Sequence, residues 1–279
     1  MEIKMKKRNM ILLAGAALAA AKGLDNRLEV TTYKITSHKL PQDFDDFKIV
    51  QVADFHCDKT AGIIDAIRNE KPDIICAVGD MTHDIGSYDP FINILRSMLE
   101  IAPVYIVSGN HDVWRSDYAE LVKECRKMGA VYLRDERVYI TKNDTQITLT
   151  GIEDPFSATY KIINENIQKS ISKFPESEGY NILMFHRANL LDRFEGKGYD
   201  LILSGHMHGG QIRIPGIGGI ICPKTNLLDK TKIIFPKYFG GEYDLGETKA
   251  IVSRGIGNPA FIPRVFNRPE ICSVILKSE

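Results

Sequence analysis

KIVQVADFHCDKTAGIIDAIRNEKPDIICAVGD, residues 48–80, decides the fold. Its ends are two short apolar runs, Lys48–Asp54 and Ile74–Asp80, each closing on an aspartate. Between them Gly62–Glu70 reads as a helix that stops at Lys71-Pro72, because proline cannot continue one. Strand, helix and strand in so short a span make the unit of a parallel sheet. The second run is apolar at nearly every position, as a strand covered on both faces must be.

The alternation continues on both sides. Leu28–Ser37 alternates and is rich in β-branched residues, so it reads as a strand. Pro90–Ile101 reads as a helix, Val104–Ser108 as a strand, and Asp117–Met128 as a helix ended by Gly129. Shorter β runs follow at Val131–Leu133, Val138–Thr141 and Gln146–Ile152, with Asn143-Asp144 as a turn signal. A helix around Tyr160–Lys173 leads to strands at Asn181–Phe185 and Leu201–Leu203. Beyond Gly205 the chain is β-rich and glycine-rich, with strands at Lys249–Ser253 and Ile271–Leu276. The expected fold is mixed α/β: two partly mixed β-sheets packed face to face and flanked by helices, a four-layer α/β/β/α sandwich.

The chain has 279 residues, 44% apolar and 26% charged, enough for a sizeable core. Lys and Arg number 36, as do Asp and Glu. Residues 1–23 hold Lys4, Lys6, Lys7, Arg8 and Lys22 against Glu2 alone, so the rest carries 31 basic and 35 acidic side chains. An acidic body is a poor footprint for duplex nucleic acid, and no nucleic-acid partner is expected. The five cysteines, Cys57, Cys76, Cys125, Cys222 and Cys272, are scattered and odd in number, which argues against a disulfide framework. Cys76 and Cys272 lie inside apolar runs and read as core.

The N-terminus stands apart. Residues 1–9 are basic and residues 10–21, MILLAGAALAAA, are an apolar run of twelve. That is the plan of a secretory signal peptide or an uncleaved membrane anchor, and it is short for a clean bilayer crossing. The expected location is therefore membrane-associated or exported.

Chemistry gathers where predicted strands end. Asp54 and His56 follow one, Asp80 another behind Gly79, Asn110 and His111 a third behind Gly109. His186 ends a fourth, and His206 and His208 follow a fifth behind Gly205. Ligand sites of open α/β sheets collect at the carboxyl ends of strands. Glycine before a ligand lets the backbone turn without a side chain in the way, and residues two apart on an extended chain point to one side. Mixed oxygen and imidazole donors suit Zn, Mn, Fe or Ni better than Ca or Mg. Seven such residues, Asp54, His56, Asp80, Asn110, His186, His206 and His208, are too many for one tetrahedral ion and fit two. Paired ions activate water and clamp the oxygens of an in-line displacement at phosphorus.

The series Asp54-Phe55-His56, Gly79-Asp80, Gly109-Asn110-His111-Asp112, His186 and Gly205-His206-Met207-His208 resembles the calcineurin-like metallophosphoesterases. The extension through Gly209-Gly210-Gln211, with Ser253–Asn258 and Arg268-Pro269-Glu270, is similar to the bacterial branch typified by YaeI and YkuE. The resemblance runs from about residue 45 to the C-terminus. It implies the metallo-dependent phosphatase sandwich over residues 45–279, with residues 24–44 as a lead-in strand and linker. It implies two divalent ions (Mn, Zn or Fe), one held by Asp54, His56, Asp80 and His208, the other by Asp80, Asn110, His186 and His206. A metal-bound hydroxide would attack a phosphodiester or phosphomonoester of a small molecule or a lipid. His111 would be the catalytic side chain, stabilising charge or protonating the leaving oxygen.

The same resemblance implies narrower and rival readings. The substrate would be lipid-linked or part of the cell envelope, a UDP-2,3-diacylglucosamine pyrophosphatase-like activity being one form. A non-catalytic metal-binding interaction protein on the same fold is the alternative of another class, and intact donors argue against it. Many family members place an Asp three residues after the bridging Asp to orient the catalytic His. His83 stands there instead, followed by Asp84, so the orienting acid is Asp84 or Asp112, and His83 reads as a loop histidine. Arg187 is either a substrate-phosphate fork or a solvated side chain.

Overall fold

The computed structural model describes residues 21–156, 159–175, 177–221, 234–259 and 262–279. The apolar run at 10–21 lies outside these apart from its last residue. Among the described residues no helix is long and apolar enough to cross a membrane.

Two six-stranded sheets form the body. The strands of the first are β1 (Glu29–Ser37), β2 (Lys48–Val52), β3 (Ile74–Val78), β4 (Val104–Val107), β5 (Val131–Tyr132) and, last in the chain, β14 (Glu270–Ser278). Their order is β1-β14-β2-β3-β4-β5. Strands β2 to β5 pair parallel through the crossover helices α1 (Ile63–Glu70), α2 (Asp89–Leu99) and α4 (Tyr118–Lys127). A one-turn helix, α3 (Asn110–Val113), follows β4.

The second sheet takes β6 (Glu136–Lys142), β7 (Thr145–Gly151), β8 (Asn181–Arg187), β9 (Leu201–Gly205), β12 (Gly241–Leu245) and β13 (Thr248–Val252). Their order is β12-β13-β9-β8-β7-β6. The hairpins β6–β7 and β12–β13 close its edges antiparallel, and the middle is parallel. Helix α5 (Tyr160–Ser172) crosses from β7 to β8. A minimal ribbon, β10 (Arg213–Ile214) with β11 (Gly218–Gly219), stands apart from both sheets.

The layers follow from the period of two along each strand. On β3, Ile74, Cys76 and Val78 face the second sheet, where Leu149, Ile182, Met184 and Leu203 meet them. Ile75 and Ala77 face the other way, onto Ile67, Phe91, Leu95 and Leu121 of the helices. Leu183, Phe185 and Ile202 bury the outer face of the second sheet against Ile163 and Ile167 of α5. The expected four-layer sandwich is the observed one. Cys57, Cys76, Cys125 and Cys272 are unpaired, and Cys222 lies outside the described residues.

Sequence and structure part company at a few elements. β12, β10 and β11 have no counterpart among the predicted runs, and β1 pairs parallel with β14 along nine residues, from Glu29 opposite Glu270 to Ser37 opposite Ser278.

Leu149 is fully buried between the sheets. Leu149→Ala should lower unfolding free energy by about 2–5 kcal/mol, read as a fall in the urea midpoint. Tyr139→Ala, at a position 57% exposed on β6, should stay within roughly 0.5 kcal/mol of the parent.

Candidate metal centre

The inter-sheet face runs out, at the carboxyl ends of the strands, into polar side chains. Asp80 continues the inward parity of Ile74, Cys76 and Val78. His186 continues that of Ile182 and Met184, and sits where β8 shifts register against β9, an irregularity that re-aims side chains. Asp54, His56, His206 and His208 follow β2 and β9, and Asn110 opens α3. All seven are buried: Asp54 and His186 are 0% exposed, and His56, the most open, is 7%.

The backbone here is not the extended one expected from i, i+2 spacing. Asp54, His56, Asp80, His206 and His208 all have left-handed φ, between 46° and 75°, each at about 1–2 kcal/mol. Such outliers persist where surroundings over-determine them, and they gather at functional sites. Among the three glycines before the candidates, only Gly79 uses a positive φ, 77°. Gly205 is a strand residue whose Cβ would lie 2.6 Å from Asp54 Oδ2, and a Cβ on Gly109 would collide with Asp80. Close approach, not a sharp turn, requires glycine at those two.

Among the described residues, four groups of donors have their atoms within 4.8 Å of one another. Two lie side by side, Asp54–His56–His208 and Asp80–His186–His206; His56–Asp80–His111 shares one residue with each, and His83–Asp84–His111 adjoins it through His111. His206 and His208 therefore fall in different groups. His208 Nε2 is 3.4 Å from Asp54 Oδ1 and from His56 Nε2. His186 Nε2 is 3.1 Å from Asp80 Oδ2, and His56 Nε2 is 3.8 Å from the same oxygen. Asp80 thus borders both groups. The His186 ring donates from Nδ1 to Val78 O at 2.8 Å, which turns Nε2 toward Asp80.

Burial dominates the electrostatics. It pushes the Asp54 carboxyl up to about 7, the nearby Asp80 charge adding to the effect. It drives His56 down to about 3 and holds His206 and His208 well below the ordinary imidazole range. Burial opposes charge on His186 as well, but the Asp80 and Asp54 carboxylates outweigh it and hold this ring up to about 10. His56, His206 and His208 are thus neutral rings, the state in which imidazole binds a cation, and a cation at His186 would have to displace its proton. His56 Nδ1, His206 Nε2 and Asn110 Oδ1 are buried without a hydrogen-bond partner, as donors meant for an ion would be. The residues present fit a divalent metal centre.

His111 lies beside this pocket and is partly exposed. Its backbone N–H donates to Asp80 Oδ1 at 2.7 Å, and its Nδ1 is 3.3 Å from Asp84 Oδ1. Asp112 is occupied elsewhere: it accepts from Thr82 N, Thr82 Oγ1 and Gly109 N, tying the loop after β3 to that after β4. Of the two acids left open by the sequence, Asp84 is the one facing His111. His83 lies against the same Asp84 oxygen, its ring 5.1 Å from that of His111. It is a loop histidine, as expected, and it stands next to His111. Arg187 is not a solvated side chain: it clasps Asp154 at 2.6 and 2.8 Å with both side chains buried.

The C-terminal segment adds residues that sequence reasoning missed. Ile256 N–H donates to Ala53 O and Gly257 N–H to Asp54 O. Arg264, 1% exposed, donates to Gly255 O and Gly257 O, and its Nη2 sits 3.4 Å from His208 Nδ1. Asn267 donates to His208 O and Gln211 O. The Ser253–Asn258 and Arg268–Glu270 motifs signalled this segment without indicating that it braces Asp54 and His208.

Removing Asp154 would take from the buried Arg187 guanidinium the carboxylate it pairs with. Asp154→Ala should destabilise the fold by about 3–5 kcal/mol, measured as a drop in urea midpoint.

Comparison with known proteins agrees with this geometry. The chain is 28% identical to the uncharacterized metallophosphoesterase YkuE of Bacillus subtilis, over 96% of this chain and 92% of that one. It is 26% identical to the phosphodiesterase YaeI of Escherichia coli, over 96% and 97%. It is 25% identical to a transmembrane protein with metallophosphoesterase domain from Danio rerio, over 97% of this chain and 63% of the longer relative. Residues 47–210 match the Calcineurin-like phosphoesterase family, and the chain is a member of that metal-dependent family of phosphoric ester hydrolases.

Proposed function

We propose that this chain hydrolyses phosphate esters at two divalent cations (Mn, Zn or Fe), with a phosphodiester as the preferred substrate. Asp54, His56, Asp80 and His208 would hold one ion, and Asp80, Asn110, His186 and His206 the other. The observation that carries this reading is the position of Asp80, which borders both donor groups in a buried pocket fed by both sheets. Cations bound there would polarise the phosphoryl oxygens and make water a competent nucleophile near neutral pH.

The chain's own residues do the rest. The main-chain N–H of His206 donates to both Asp54 oxygens at 3.0 Å, and that of His111 donates to Asp80. Both carboxylates are thus fixed in orientation before a substrate arrives. Asp84 faces Nδ1 of His111, so Nε2 is the ring atom left for the ester, to stabilise charge or to protonate the departing oxygen. The diester preference is supported by the name of the YaeI relative. The basic-then-apolar segment of residues 1–21 and the transmembrane relative support a membrane-associated or exported location, and with it a lipid-linked or envelope substrate.

The test is turnover of bis-p-nitrophenyl phosphate and p-nitrophenyl phosphate with Mn or Zn, with and without chelator. Chelator should abolish activity, and mass spectrometry should find about two ions per chain. Asp80→Asn should lose both metal and turnover. His111→Ala should keep its metal and lose roughly a hundred- to ten-thousand-fold in kcat, with Asp84→Asn intermediate. Full turnover by His111→Ala on every substrate would refute the role given to that ring.

A further inference from the structure

If His111 serves the departing oxygen, the group leaving with that oxygen must lie on the His111 side of the pocket, and that side is aromatic. The Trp114 ring stands against His111, centroids 4.8 Å apart and planes at 61°. Phe156 stands against Trp114 at 6.5 Å and 68°. The two come from different parts of the fold, Trp114 from the end of α3 and Phe156 from the loop after β7. Phe156 is nonetheless 57% exposed, and Ile85, in the loop that carries His83 and Asp84, is 75% exposed. Arg115 fastens that loop beside Trp114, donating from Nη1 to His83 O and from Nη2 to Gly86 O, while Nε and Nη2 hold Asp117.

An exposed aromatic ring, linked through a second one to a histidine of the polar pocket, marks a ligand wall. The wall has one unsatisfied polar feature. The Trp114 indole N–H is buried and has no partner, whereas buried indoles normally find an acceptor.

We propose that Trp114 and Phe156 form the subsite for the leaving group, and that this subsite selects esters whose departing alcohol carries a flat aromatic ring. The tilted pair leaves ring faces and edges open, and aromatic rings gain edge-to-face and offset contacts that an alkyl chain of equal area does not. The proposal rests on the phosphoesterase reading and names one half of its substrate. The His111-side wall also explains why an exposed phenylalanine sits beside a catalytic centre rather than in one of the three apolar cores.

Trp114 is the only tryptophan in the chain, so intrinsic fluorescence reports on this wall alone. The experiment titrates the full, Mn-loaded chain with phenylphosphonate, hexylphosphonate and methylphosphonate, following Trp114 emission and competitive inhibition. Phenylphosphonate should bind roughly two- to tenfold tighter than either alkyl compound and change the emission. Phe156→Ala should bring the phenyl-to-hexyl ratio close to one, while Tyr139→Ala, an exposed aromatic change elsewhere, should leave it as in the parent. Equal affinity for the three compounds, or tighter binding of hexylphosphonate, overturns the subsite and leaves the hydrolase reading standing. A metal-loaded chain that binds none of them and turns over no nitrophenyl ester removes both.

Discussion

The structure is organised around two carboxylates, Asp54 and Asp80, placed where almost no water reaches them. Negative charge in such a place must be met by hydrogen bonds, a proton or a cation. Main-chain N–H groups from His206 and His111 supply part of this, and the raised His186 supplies one proton. The remainder is left to whatever binds among the neutral rings of His56, His206 and His208. Five candidate residues hold left-handed backbone to reach this arrangement. That strain is sustained because three separate apolar cores fix the strand ends from which the residues depart. A cation bound here is thus coupled to folding as well as to chemistry.

Much of this was legible because the fold's strongest signals are local. The runs at 48–54, 74–80, 104–108 and 201–203 are buried on both faces, so nearly every residue is apolar and the strand ends are marked by the first Asp, Asn or His. β12 escaped because its residues alternate between half-buried and exposed along a sheet edge, with one fully buried side chain, Leu245. The β10–β11 ribbon is two residues against two glycines, too short to carry a period.

That the candidate ligands would be brought together was readable, but not their conformations or their division into groups. Spacing suggested extended D-x-H and H-x-H pairs pointing one way. The left-handed residues instead separate His206 from His208. Nor could spacing choose between Asp84 and Asp112, which differ only in whether they meet a ring nitrogen or the amides and hydroxyl of neighbouring loops. Arg264 and Asn267 gave no signal because each acts through one distant partner, His208 being more than fifty positions away.

The pairing of β1 with β14 has a consequence for how the protein is made. The ribosome delivers β1 before β2 to β13 and β14 after them, so β1 waits for its partner while all of those strands are made. The segment leading into β14 is also the one that buttresses Asp54 and His208. A nascent chain can therefore build most of both sheets while its ion pocket still lacks a wall. A chain translated as far as His208 already carries all seven donors, but not the residues that steady two of them.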